Sequence, residues 1–424
     1  MKKRGLLILF LVLVIGSSLF AYSGFNDFFY PEVSFRPTSA RIEAMGGAGV
    51  ATADGIDALY YNPANLGSRE FSLNLPSVSV TLFNPKAIID EGLIESLMDM
   101  DGEDETAIIG VANKFFNTIE AGRGEVLTTD IALGFTAGGL GLGINVQEQL
   151  HTYSDDGSIT EDKLLAEINA GLSLGFGYRI DVVPDILSID VGANVRFNYK
   201  AYTGLIGAEE LFTWLGDDSE DILQLLMREA PLAAGWAIPL DFGVNVNLPV
   251  GFKVSAVARD INGTYKMQDY KKVGLWVNEM TDLIGVPEKL YDGEAGPGDV
   301  TEFEHEVPWK LDFGIGWAPS FGKLDNFIKP TIGVDLVDTI TMFEKMEEDQ
   351  NVFWNHFRAG AEVKLLSILD LRAGFNQGYF SVGVGLDLFA IRLDASYYWR
   401  EYGVDIGDKP IDALTVKVNL GFDR

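Results

Sequence analysis

Leu187-Ser188-Ile189-Asp190-Val191-Gly192-Ala193-Asn194-Val195-Arg196-Phe197-Asn198-Tyr199 alternates from end to end, with apolar residues at odd positions and polar residues or glycine at even ones. A period of two sends the two sets to opposite faces of an extended strand. One face is hydrocarbon and aromatic ring; the other carries a carboxylate, a guanidinium and two amides. The stretch exceeds the usual five or six residues of a soluble strand. It covers the roughly 9–11 residues that a tilted strand needs to cross a bilayer.

The same alternation recurs along the chain. Ile131, Leu133 and Phe135 lead through Gly138-Gly139 to Leu140, Leu142, Ile144 and Val146, the pattern of a hairpin with a tight glycine turn. Further runs start at Ile168, Leu240, Trp309, Phe380, Ile391 and Leu414, and weaker ones cover 71–82, 251–260, 328–336, 357–365 and 371–375. The total is about fourteen strands, an even number, as in bacterial outer-membrane barrels. The connections alternate in length. Long ones cover 84–128, 151–163, 203–234, 262–308 and 337–355; short ones cover 137–139, 180–186, 249–250, 319–327 and 366–367. The tight link near Gln377 is the exception. These features predict an all-β fold: a transmembrane, up-and-down antiparallel β-barrel with long loops at one end.

Met1-Lys2-Lys3-Arg4 precedes an apolar run from Gly5 to Ile15 and then small residues, the three regions of a secretory signal peptide. A small-x-small site at Ala21-Tyr22-Ser23 predicts residues 1–23 as the signal, with cleavage after Ala21 as the near alternative. A retained membrane anchor is a second alternative, although the apolar run is short for a span of about 20 residues. The chain has 424 residues and no cysteine, which excludes disulfides, thiolate nucleophiles and sulfur metal sites. Its formal net charge is -30, and loss of the three N-terminal basic residues leaves 29 basic against 62 acidic ones. Such a surface repels nucleic acid.

The acids gather in the long connections, at 99–105, 217–221 and 344–349, which marks these as the solvated outer side. Tyr178, Tyr199, Tyr202, Trp309, Trp317, Trp399 and Tyr402 fall near strand ends, where interfacial girdles are expected. His151, His305 and His356 show no paired ligand spacing and read as surface histidines. No serine elbow, phosphate loop or metal set can be nominated, so neither an enzyme nor a cofactor is expected.

Residues 24–69 break the alternation. They contain Met45-Gly46-Gly47-Ala48-Gly49 and, further on, Asn62-Pro63-Ala64-Asn65. Small residues let a backbone pack closely, and the proline biases Asn62 away from helix. In these motifs the sequence resembles the FadL-type family of outer-membrane channels for long-chain fatty acids and other hydrophobic compounds. It is also similar to PorV-type proteins of secretion systems. Arg372-Ala373-Gly374-Phe375-Asn376-Gln377-Gly378 adds to the likeness.

The resemblance implies a hatch formed by residues 24–69 inside a barrel formed by residues 70–424, with Gly46, Gly47, Ala48, Asn62, Pro63 and Ala64 as the hatch motif. It implies an outer-membrane location in a diderm bacterium. The expected partners are hydrophobic small molecules or fatty acids and membrane lipid, with a single chain as the expected unit. Two loop segments read as amphipathic helices and supply the candidates for ligand capture: Phe212, Trp214, Leu225 and Leu226 in one, Leu275, Trp276 and Met280 in the other. The alternative use of these helices is to pack together and cap the barrel. The alternative function is a PorV-like component of a secretion apparatus, or a structural porin without a hydrophobic ligand.

Overall fold

The computed structural model describes residues 35–93, 95–96, 110–111, 114–115, 118, 122–154, 163–184, 186–203, 206–207, 227–228, 230–283, 285, 289–347, 349–402 and 406–423. Fourteen antiparallel strands form one closed sheet. They are β1 (Ser72–Phe83), β2 (Gly122–Ala137), β3 (Leu140–Ser154), β4 (Lys163–Val183) and β5 (Leu187–Thr203). Next come β6 (Leu232–Ala237 continued by Leu240–Asn247), β7 (Phe252–Ile261 continued by Tyr265–Tyr270) and β8 (Val300–His305 continued by Lys310–Trp317). The circuit is completed by β9 (Ile328–Leu336), β10 (Phe357–Leu365), β11 (Leu369–Asn376), β12 (Tyr379–Asp387), β13 (Ile391–Glu401) and β14 (Pro410–Asp423). A two-residue bridge, Ile206–Gly207, adds to the end of β4. Each strand pairs with its sequence neighbours, and β1 pairs with both β2 and β14, which closes the ring.

The alternation decides which side faces where. On β5, Val191, Val195 and Phe197 are exposed, while Asp190, Asn194, Arg196 and Asn198 are buried. The same split holds on neighbouring strands. Ile131, Ile144, Leu172, Phe242, Val254 and Val418 point outward, and Asp130, Asn145, Ser173, Asp241, Ser255 and Asn419 are buried on the other face. An unbroken outward belt of large apolar side chains is what a bilayer covers and water does not. Among the described residues no helix is long and apolar enough to cross a membrane.

Four of the five long connections are shorter than the sequence suggests, since β2 already starts at Gly122 and β3 runs on to Ser154. Tyr265–Tyr270 and Val300–His305 pair with each other, so the β7–β8 hairpin continues past Asn262, and β6 begins at Leu232. The reason lies in composition: these upper segments carry Lys266, Gln268 and Glu302 on their outward face, so the apolar alternation fades although the pairing persists. Longer strands, β8 for His305 and β3 for His151, also correct the histidine reading. His151 and His305 sit on strands and are buried, turned inward above the apolar belt.

The aromatics also divide. Tyr178 and Trp309 are exposed on the outer face, whereas Tyr202 is buried inside. Aromatic rings that the strand-end reading missed mark the belt's edge at the long-loop end. Phe197 stacks with Trp236 at 6.2 Å. Across the barrel, Trp354, Phe357, Phe375 and Phe380 form a chain of edge-on contacts at 5.7–6.2 Å.

Candidate functional site

The inward face is built around residues 35–69. Ser39 caps the short helix Ala40–Ala44, and a second short helix, Asp57–Tyr61, leads into a 3-10 turn, Pro63–Ser68. Ile42, Leu59, Tyr60, Tyr61 and Leu66 make a small apolar core of their own. Strands round the sheet then hold this segment from its sides. The Thr38 N–H donates to Asp130, Tyr60 to Asn145, Asn194 to the Leu59 carbonyl, and the Val50 N–H to Asp335. Ser381 donates to the Ala44 carbonyl, and Arg400 to Glu43.

Both motifs that break the alternation seat against rows of wall glycines. Gly177, Gly192 and Gly243 are lateral neighbours on β4, β5 and β6. A methyl group on any of them would overlap the backbone of Gly67 or Pro63, or the Asn62 side chain. On the other side Gly316, Gly333, Gly360 and Gly374 run in register across β8 to β11. They lie against Ala51, Ala48 and Thr52, Met45, and Gly46, in that order. Gly46 and Gly47 themselves have φ of 65° and 80°, which glycine adopts without strain.

Asn62 fixes the second motif. Its amide donates to the Val50 carbonyl at 3.0 Å and to Asn245 at 2.9 Å, and its oxygen accepts the Ala64 N–H at 3.0 Å. Asn65 accepts from Asn245 and from Lys253. Pro63 occupies the first position of the 3-10 turn, where its missing N–H costs nothing.

The charged lumen is paired rather than open. The Arg41 guanidinium meets Glu362 in a two-point contact and also reaches Asp54. Glu362 accepts from Arg372, which in turn binds Asp370 and Asp394; Arg392 bridges the same two aspartates. A second cluster joins Arg196 to Asp241, Asp260 and the Phe35 carbonyl. Buried charges persist only when partnered in this way. Among the described residues no group of three histidine, aspartate or glutamate side chains is placed to hold a metal ion.

Toward the long loops the interior changes character. Leu165, Tyr202, Ala233, Ala237, Tyr265, Met267 and Val307 form a buried cluster, with Phe303 packed against it. The pairing register places Tyr202, Ala233, Met267 and Phe303 on the inward face. Beside this cluster three adjacent strands break at one level: β6 at Ile238-Pro239, β7 at Asn262-Gly263-Thr264, and β8 at 306–309. Asn262 donates to the Ile238 carbonyl across the gap, and the Arg196 N–H donates to Pro239. Asp260 and Asn262 hold φ of 59° and 62° there, a region that Asn and Asp tolerate better than most residues.

Of the residues proposed for capture, Phe212, Trp214, Leu225 and Leu226 lie outside the described residues. Leu275, Trp276 and Met280 sit on the helix Val273–Leu283. Leu275 is buried with Ala201, Leu232, Ala234, Tyr270 and Tyr291. The Trp276 ring N–H donates to the Tyr199 hydroxyl at 2.7 Å, and that hydroxyl lies 3.9 Å from the Met280 sulfur. This helix packs on the outer face of β5 to β7, just above the belt, because Tyr199, Ala201 and Leu232 share the outward register. Sequence reasoning missed the inward apolar cluster, since its members are scattered over five strands and only the pairing register brings them together.

No family model matches the chain, and no curated protein matches it. Among solved structures it is similar to the Pseudomonas putida toluene transporter TodX, at 10% sequence identity, with 93% of this chain and 99% of that chain covered and a TM-score of 0.44. The Ralstonia pickettii toluene transporter TbuX aligns at 13% identity over 91% of this chain and 98% of its own, with a TM-score of 0.43. A Pseudomonas aeruginosa FadL homologue aligns at 10% identity over 89% and 96%, with a TM-score of 0.38. At low sequence identity, the chain is similar to FadL-type hydrocarbon channels.

Proposed function

We propose that this chain is an outer-membrane channel for hydrophobic compounds such as long-chain fatty acids. The carrying observation is the inward apolar cluster around Tyr202, Tyr265, Met267 and Phe303, toward the long loops and above a ring of wall that is polar and ion-paired. Water and ions gain nothing from such a surface, whereas a greasy molecule does. Residues 24–69 act as a hatch. The hydrogen bonds and glycine seats that hold residues 35–69 support this reading, because they leave little room for a straight aqueous path.

The exit in this proposal is sideways. Ala237 and Val307 border the level at which β6, β7 and β8 lose regular pairing, and outward from that level lies the apolar belt. Ligand enters at the long loops, where Phe212, Trp214, Leu225 and Leu226, with the half-buried Trp276 and Met280, supply apolar surface. The buried Leu275 anchors the helix that carries the last two, and one chain suffices for the whole route.

Mass spectrometry of lipids extracted from the purified protein tests the ligand class. A co-purified fatty acid or hydrocarbon is expected; stable co-purification with a large secretion channel, and no ligand, would favour the PorV-like alternative. Replacement of Phe212, Trp214 and Leu226 by serine is expected to reduce uptake of a hydrophobic probe while the barrel stays folded. Unchanged uptake would remove the capture role. Large steady conductance of the native protein in a planar bilayer would remove the hatch.

A further inference from the structure

We infer that the short-turn end of the barrel is itself embedded in lipid, its turns inserted among the head groups and upper acyl chains of one leaflet rather than standing in water. The inference goes beyond transport and holds for any function of the barrel.

Turns between antiparallel strands are ordinarily built from glycine, asparagine, aspartate and serine. Five of the six short turns here carry large apolar side chains instead: Val183 and Ile186; Leu248 and Val250; Phe321, Leu324 and Phe327; Leu366 and Ile368; Leu388 and Phe389. They are among the most exposed apolar groups on the protein, with Phe389 at 83%, Val250 at 74% and Leu366 at 62%. Val250, Leu366 and Phe389 also hold φ of 61°, 53° and 68°. Every other described non-glycine residue with positive φ is polar or charged: Arg69, Asn84, Asp260, Asn262, Asp338, Ser367 and Gln377. A left-handed turn position costs a branched or bulky residue more than it costs asparagine. Bulky apolar residues at three such positions, all on one rim, point to an environment that rewards hydrocarbon.

Height identifies that environment. From the aromatic edge at Phe197 down to Ile186 the strand covers about 28 Å along the barrel axis, and from Phe380 to Phe389 about 23 Å, at roughly 3.3 Å per residue and a 40° tilt. The apolar band of an outer-membrane barrel is about 25 Å tall. Measured down from its aromatic edge, the band therefore ends at the turns themselves. Apart from the exposed Ser320, Lys323 and Asn326 of the β8–β9 turn and Ser367 of the β10–β11 turn, the turn residues continue the lipid-facing belt. The occupant is therefore the leaflet that already covers the belt and not a separate partner protein.

The chain contains no cysteine, so single sites can be labelled without background. Phe389→Cys, Val250→Cys and Leu324→Cys, each carrying an NBD fluorophore, are to be compared in phosphatidylcholine vesicles with Val191→Cys on the belt and Leu283→Cys at the long-loop end. Folding is checked by heat-shifted gel mobility, and any one of the three turn variants that folds reads the result. Turn labels quenched by doxyl-labelled phosphatidylcholine as strongly as Val191→Cys, and several-fold less by aqueous iodide than Leu283→Cys, are expected. Turn labels open to iodide and insensitive to doxyl lipid would overturn the inference and leave the rim as a surface for a soluble partner.

Discussion

Arg41 and Glu362, 321 positions apart in sequence, face each other through two parallel hydrogen bonds of 3.0 Å each. This pair ties the interior segment to the wall on the β10 side, while Asn62 and Asn245 tie it on the β6 side at 2.9 Å. The segment is thus held from opposite directions, and each attachment invites its own test.

Arg41→Met leaves the Glu362 carboxylate with Arg372 alone. Removal of one partner from a buried pair costs about 3–5 kcal/mol. The cost is expected to fall on docking of the segment and not on the barrel, which keeps its strand pairing. Higher conductance in a planar bilayer, with native heat-shifted gel mobility, is the expected result; unchanged conductance and unchanged protease resistance would show that the pair holds nothing in place.

The glycine seats predict steric displacement. Gly192→Val and Gly360→Val place side chains where the Pro63 and Met45 backbones now lie. Overpacking of this kind typically costs about 1–3 kcal/mol. Gly110→Ala, where nothing lies within 4 Å, serves as the neutral comparison. Limited proteolysis of residues 35–69 should accelerate in the two valine variants only.

Tyr291 anchors the outer helix Val273–Leu283. Its ring rests on Gly274, and its backbone N–H and C=O both bond the Asn278 side chain, at 3.1 and 2.7 Å. Tyr291→Ala is expected to cost the helix about 3–5 kcal/mol of packing, the usual range for removal of a large aromatic. Tryptophan emission should shift to the red as Trp276 leaves Tyr199. An unshifted spectrum would mean that the helix is held by other contacts.

Asp299 supplies a pH dependence outside the membrane-spanning strands. The Gly296 N–H bonds its carboxylate at 2.8 Å, and Lys271 lies 3.6 Å away; both hold its pKa below the ordinary aspartate value. A depressed folded pKa means that this turn is fully stabilised above the unfolded value, near 3.9, and loses the contribution as pH falls through the folded value. Carboxyl-carbon NMR should report a midpoint below 3.9 for Asp299. A midpoint at or above it would refute the bond.

Much of the barrel is legible in the sequence because lipid on one side and polar groups on the other impose a period of two. Residues 187–199 on β5 and the run from Leu414 on β14 are read directly, down to which side chain faces where. Legibility fails where that contrast fades. Lys266, Gln268 and Glu302 face water above the membrane, so their strand segments look like loop. His305 is inward on one of these extensions, and His151 is inward at the upper end of β3. For the interior segment, Gly46 and Asn62 stand out by motif, but their partners Gly374 and Asn245 look like ordinary alternating positions. Long-range register, not local pattern, joins them.

Ring closure between β1 and β14 also constrains how the molecule is made. The seam cannot form until residues 410–423 are present, yet residues 35–69 precede the first strand and end up enclosed by strands synthesised long after them. With contacts as distant in sequence as Arg41 and Glu362, folding is expected to be slow. The order of assembly matters as well. Whatever machinery inserts the barrel must keep the leading segment on the inner side of a curling sheet until the last strand arrives, because a ring that shuts first would leave it stranded outside.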